Sequence, residues 1–272
     1  MRPALLDLHR ADVRRRGERV LGVAAVVAVV AALVLGLWVA PPDAVQGQSQ
    51  RLMYVHVPAA WTGFMAVGLV ALASIAVLLG GGRTWAALAR GAGELAVAML
   101  ALAYAEGMAW GHAAWGVWWT WDPRLVTTGV LLLTCVGYVA MSVLARDDLA
   151  RDDRGPDDRA RDSRAGARRT ALVGLLAAVE VPVVHLSVLW WRSIHQPPTL
   201  LRPSLSAPID TTMLVALLVA VVAFTLAGAW YVARRLDQQL PAPEEPAPVE
   251  EQVEEQVEEQ VEEPAVTTGA TR

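Results

Sequence analysis

Residues 115–122 read WGVWWTWD, four tryptophans closed by an acid. In a short helix, Trp115, Trp118 and Trp119 stand at i, i+3 and i+4 and share one face. That makes a broad aromatic shelf of the kind that lies on a membrane surface. Pro123 biases Asp122 away from the helical region and turns the chain toward the next apolar run. Such a shelf suits a flat, hydrophobic, polarisable ligand; without a ligand, it is an anchor in lipid headgroups. The five histidines bear on that choice. His9 sits in a polar N-terminal segment and reads as solvated, and His185 lies inside an apolar run. His56, His112 and His195 fall in three separate loops or at their edges. A lone histidine near a helix end is more often a hydrogen-bonded structural residue than a ligand. Two from different loops, both beside Trp and Arg, make a better case. Neutral imidazole is a common axial ligand for haem iron, whose plane needs an apolar bed and whose propionates need cations. Arg51, Arg124, Arg192 and Arg202 are the arginines available nearby.

The elements that must position these residues are membrane helices. Of 272 residues, 55% are hydrophobic and only 18% charged, which argues against an ordinary soluble domain. Six apolar stretches, about 20–40, 59–81, 92–111, 125–145, 171–189 and 209–233, each approach the ~20 residues a helix needs to cross the hydrocarbon core. They lack the alternation of barrel strands, so six transmembrane helices are expected. The first is too long for a signal-peptide core, and Pro41 argues against cleavage there, so it reads as an anchor. A single cysteine, Cys135, excludes an internal disulfide, a CxxC pair and a Cys-rich zinc site. It falls mid-helix and reads as a packing residue.

Charge sets the orientation. All 23 basic residues are arginine, and the net charge is −4. From Leu240 onward the chain holds ten Glu and one Arg; the rest has 17 acidic and 22 basic residues and is therefore basic. Eighteen arginines fall in the N-terminal arm, the loops after helices 2 and 4, and the end of helix 6, against four in the alternate loops. Basic residues favour the cytoplasmic side, so both termini are expected in the cytoplasm and residues 56, 115–122 and 195 on the outer face. Nine of eleven tryptophans fall at or near that outer face, an asymmetry that interface belts do not explain. The domain expectation is a basic arm at 1–19, a six-helix membrane domain at 20–233, a charged loop at 146–169 and an acidic tail at 234–272. The loop alternates Arg and Asp and reads as a self-compensating connector, not a nucleic-acid site. The VEEQ repeats place Val253, Val257 and Val261 on one side of any helix, but too few apolar groups to fold alone.

Three segments carry a family resemblance. RLMYVHVPAAW (Arg51–Trp61), WGVWWTWDPRL (Trp115–Leu125) and LSVLWWRSIHQ (Leu186–Gln196) resemble the signatures of the CcmC family of cytochrome c maturation proteins, which belong to the haem-handling membrane proteins with a WGxxWxWD motif. The match covers roughly residues 20–233 in order and topology. It implies an all-α polytopic protein of the inner (plasma) membrane, with His56 and His195 as axial haem ligands. It implies an external haem shelf built from Trp115, Gly116, Trp119, Trp121 and Asp122, with Trp118 on the same face. Arg51, Arg124 and Arg192 are the propionate candidates, and the cargo is non-covalent, transient haem b. Implied partners are the periplasmic haem chaperone CcmE, the ABC transporter CcmA with CcmB, a small CcmD-like subunit, and membrane lipid. The implied role is to bind haem and hand it to the chaperone, which is transport and not enzymatic turnover. No nucleotide-binding motif occurs in the chain, so ATP hydrolysis falls to a partner.

Three positions depart from the family's usual pattern. Glu106 and Glu180 stand at membrane depth where small or neutral polar residues are more common, and Pro123 stands where Ala is common. Intramembrane carboxylates are costly and mark function by default. Glu106 either faces the haem edge or stays protonated against a neighbouring helix. The Asp122-Pro123 pair is also similar to CcsA-type cytochrome c synthetases, which attach haem directly to apocytochrome; the HVPAAW and WWRSIHQ segments favour CcmC. A transporter without haem would have only Glu106 and Glu180 for a polar pathway.

Overall fold

The computed structural model describes residues 3–150, 156–195 and 209–239, with side chains described for 15–145, 161–195 and 209–239. Six helices account for almost all of this: α1 (Pro3–Val34), α2 (Met53–Leu78), α3 (Arg83–Trp115), α4 (Pro123–Ala150), α5 (Pro156–Trp190) and α6 (Thr211–Gln239). Six stretches, on these helices or continuous with them, are long and apolar enough to span a bilayer: Arg15–Val39, Gln48–Leu78, Arg83–Trp115, Pro123–Ala145, Arg161–Trp190 and Thr211–Gln239. No strand occurs among the described residues. The six-span, all-α expectation therefore holds, with α3, α4 and α5 overrunning their apolar runs at both ends. At 1.5 Å per residue, α5 is about 52 Å long, so much of the 146–169 segment expected as a connector is helix, with α4 ending at Ala150 and α5 starting at Pro156. Arg14–Leu240 form one compact unit, and Met1–Val13 belong to a second. The His9 side chain, Arg202 and the VEEQ repeats lie outside the described residues.

The expected tryptophan-rich surface helix is not formed. α3 continues to Trp115 and stops at Gly116, whose φ of 76° is left-handed; that conformation ends a helix and favours glycine. Residues 117–122 then run without helical structure to Pro123, which opens α4. Pro is well suited to a first helical position because its missing N–H would find no partner there. The sequence pattern overlooked the stop because a glycine inside WGVWW looks tolerable within an aromatic run, whereas its backbone conformation is what breaks the face.

The centre of the unit is the antiparallel α2/α3 pair, flanked by α4, α5 and α6. Small residues line the contact: Ala59, Ala66 and Ala73 on α2, with Ala89, Ala92, Ala96 and Ala103 on α3, all nearly or fully buried. Small side chains let helix backbones approach closely in a membrane, where lipid offers no competing hydrophobic force. A Cβ on Gly63 would stand 3.0 Å from the Leu100 side chain, and one on Gly107 would stand 2.7 Å from His56 Cε1. The seven-residue step from His56 to Gly63 on α2 thus mirrors the step from Gly107 back to Leu100 on α3. This register carries His56 onto the C-terminal third of α3. Away from this pair, α1 is nearly unburied within the chain, and its end closes through a π-helical turn, Leu35–Val39, onto a cluster of Ala40, Tyr54, Met213 and Leu217.

Candidate functional site

At the tryptophan-bearing end, Asp122 organises the chain that follows α5. Its Oδ2 accepts hydrogen bonds from Ser193 Oγ (2.8 Å) and the Ile194 N–H (2.9 Å). Its Oδ1 accepts the Arg124 N–H (2.9 Å) and lies 3.0 Å from His195 Nδ1. The side chain is only 3% exposed. Burial opposes its charge, but the bonds from Ser193 and Ile194, with His195 and the Arg124 N–H, hold the carboxyl below the usual carboxylate range. An ionised carboxylate can only accept, so the proton between the two groups sits on His195 Nδ1. The tautomer is thereby set, and Nε2 keeps a free lone pair. Burial pushes His195 below the ordinary histidine range; Asp122 works against that, while the positive charge of Arg124 and a protonated His56 would add to it. The result is a neutral imidazole, the form that binds metal.

His56 occupies the first turn of α2, not a loop. Its Nδ1 lies 3.2 Å from Glu106 Oε2 on α3, and its ring meets Trp110 edge-on at 5.8 Å between centroids. The Glu106 contact is in ion-pair range but not aligned as a hydrogen bond, so His56 Nδ1 and both Glu106 oxygens are buried without a hydrogen-bond partner. One turn further along α3, Trp110 Nε1 donates to Gln46 Oε1 at 2.9 Å, tying α3 to the loop before α2.

The aromatic residues assemble across segments. Trp115 meets His195 edge-on at 6.0 Å, Trp119 meets Trp121 at 5.6 Å, and Tyr104 lies against Trp119 at 6.3 Å. His112 stacks on Trp118 at 4.3 Å, nearly parallel. Trp121 is 82% exposed and Trp118 59%. Trp190 and Trp191, which meet each other edge-on at the end of α5, are exposed as well; exposed apolar groups of this kind mark a binding site or a membrane contact.

The arginines divide. Arg124 is partly buried beside Asp122, and Arg192 is exposed in the segment that Asp122 anchors. Arg51 is engaged elsewhere: it donates to Gly36 O, to Ala40 O (3.1 Å) and to Gln48 Oε1 (2.6 Å). It caps carbonyls freed at the end of the first span, a role the sequence did not suggest. His185 lies in α5, partly buried. Glu180 accepts from Thr134 Oγ1 on α4 (2.9 Å), which accounts for one of its oxygens. Sequence reasoning also missed Asp122 as the orienting partner of His195. Its signal was weak, because residues 73 apart show no common pattern until the bundle is closed.

Residues 10–247 match the family described as Heme exporter protein C, or CcmC. The chain belongs to the CcmC family. It is 34% identical over 202 residues to the Heme exporter protein C of Bradyrhizobium diazoefficiens, covering 73% of this chain and 71% of the relative. It is 32% identical over 225 residues to that of Escherichia coli, covering 79% and 80%. A putative cytochrome c biosynthesis ccmC-like mitochondrial protein of Marchantia polymorpha is 27% identical over 201 residues, covering 74% and 78%. The part shared with the CcmC family holds all six spans and includes His56, Asp122 and His195, so this member is a multi-pass membrane protein.

Proposed function

We propose that this CcmC-family protein binds haem on the outer face of the inner membrane, between His56 and His195, and delivers it for c-type cytochrome maturation. The observation that carries the reading is the Asp122 clamp on His195. A buried carboxylate directs three of its four contacts to residues 193–195, fixes the histidine tautomer and leaves Nε2 free. That is the outer-shell arrangement typical of metal-ligating histidines. The donor set fits haem as cargo: two imidazoles, an exposed aromatic surface for the porphyrin plane, and cations for the propionates. Arg124 and Arg192 are the arginines best placed for that last task, with Arg51 a further candidate through the N–H groups its carbonyl partners leave over.

Bound haem supplies iron with two open axial positions. The chain supplies everything else. His195 is presented in a single tautomer, His56 is fixed on a rigid helix, and Trp115, Trp118, Trp119 and Trp121 with Gly116 form the bed. An exposed site of this kind suits transient, non-covalent holding of haem b and its release to a periplasmic chaperone of the CcmE type. An ABC transporter of the CcmA/CcmB type and a small CcmD-like subunit complete the expected assembly. The protein's work is positioning and transfer, without enzymatic turnover.

The test is the absorption spectrum of detergent-purified protein with added haem. A low-spin, bis-histidine spectrum is expected, weakened in His56→Ala and in His195→Ala. An unchanged spectrum in both variants overturns the ligand assignment. Holocytochrome formation without any haem chaperone would instead favour a synthetase.

A further inference from the structure

His195 has a carboxylate on its Nδ1, and His56 faces one as well. Glu106 is a carboxyl group inside a membrane span, an expensive placement that calls for a partner. His56 Nδ1 stands 3.2 Å from Glu106 Oε2. Neither group has a hydrogen-bond partner elsewhere: His56 Nδ1, Glu106 Oε1 and Glu106 Oε2 are all buried and unsatisfied. Gly107, the next residue, has no Cβ, and one built there would meet His56 Cε1 at 2.7 Å. The imidazole can therefore lie flat against α3 beside Glu106. Trp110, one turn beyond Glu106, closes the ring's other side with an edge contact.

We propose that Glu106 is the positioning residue for His56, accepting its Nδ1–H when Nε2 ligates iron, so that both axial histidines are backed by carboxylates. The inference rests on the haem-ligand reading above and deepens it. Ligation through Nε2 requires the proton to sit on Nδ1, and a buried N–H in a span must find an acceptor. Glu106 is the acceptor in range, and a small rotation of its carboxyl group converts the present contact into a hydrogen bond. A carboxyl acceptor makes the ligand more basic. A more basic pair of ligands favours ferric over ferrous iron, so Glu106 holds the haem potential down.

The experiment compares the haem-loaded wild type with Glu106→Gln, Glu106→Leu, His56→Ala and the double variant Glu106→Gln/His56→Ala, by ferric haem titration and redox potentiometry. Leucine removes the buried carboxyl altogether, and Glu106→Gln, which keeps a polar side chain of the same shape, is the control for folding. Glu106→Gln should keep the low-spin spectrum but lose about tenfold in its preference for ferric over ferrous haem, read as a rise of about 59 mV for a one-electron couple. Glu106→Leu should lose at least about tenfold in ferric haem affinity. In the His56→Ala background, Glu106→Gln should have no further effect on the potential. Wild-type affinity and potential in both Glu106 variants, with His56→Ala still losing the low-spin spectrum, would overturn the role of Glu106 and leave the ligands standing. A wild-type spectrum in His56→Ala would overturn both.

Discussion

Replacing Asp122 with Asn changes one atom and gives a sharp test of the clamp. The carboxylate receives four contacts, two on each oxygen: the Arg124 N–H and His195 on Oδ1, Ser193 and the Ile194 N–H on Oδ2. An amide has one acceptor and one donor face, so it can take either of two orientations. With its oxygen toward Arg124 and His195, the NH2 opposes the Ile194 N–H. With its oxygen toward Ser193 and Ile194, the NH2 opposes the Arg124 N–H and drives the His195 proton onto Nε2, the atom needed for iron. Each orientation strands one backbone N–H, at a cost of about 1–3 kcal/mol, and the second also withdraws the ligand. Because both N–H groups sit at the bundle's end, the cost should appear as local loosening around Arg124 or Ile194 and not as global unfolding. Loss of an outer-shell partner typically lowers metal affinity about 10- to 100-fold. Haem titration of the purified variant should show a drop in that range, and hydrogen exchange should report faster exchange at Arg124 or Ile194. Affinity within about twofold of wild type with unchanged exchange would refute the clamp, since the outer-shell effect is larger than that.

Four more outcomes rest on the same geometry. Gly116→Ala forces a left-handed backbone on an L-residue, at about 1–2 kcal/mol; since a Cβ there meets nothing within 4 Å, the effect should be conformational, and haem retention should fall more than the melting temperature. Trp119→Ala with Trp121→Ala should reduce haem retention and chaperone loading together; normal loading would make the surface a membrane anchor only. Thr134→Val removes the hydrogen bond to Glu180 Oε1, and Oε2 is already buried without a partner; thermal unfolding in detergent should reveal a loss of about 1–3 kcal/mol without a change in the haem spectrum. Arg51→Gln removes charged donors from the carbonyls of Gly36 and Ala40, each worth about 1.5–3 kcal/mol, and limited proteolysis should then cut faster between residues 40 and 50.

Much of the architecture was legible in the chain because membrane helices are set by length and apolarity, which are local properties. The six spans fall where the apolar runs predict them. His56, Trp115–Asp122 and His195 could also be nominated from type and neighbours. What stayed illegible was pairing. Glu106 had two open readings, toward the haem edge or toward a neighbouring helix, because both depend on rotation of α3 about its axis. The α2/α3 register brings Gly107 under His56 and so sets Glu106 beside the imidazole. The aromatic segment shows the opposite failure, where a plausible helical face was broken by the φ of a single glycine.

The sequence alone therefore determined the solvent this protein lives in, the number of its spans and the residues with suitable chemistry, since hydrophobicity and side-chain type need no partner to be read. Tertiary structure decided which acid stands beside which histidine, Asp122 against His195 and Glu106 against His56. Those choices depend on hydrogen bonds and close contacts of about 3 Å, made between residues 73 and 50 positions apart, and only the closed bundle brings such atoms together.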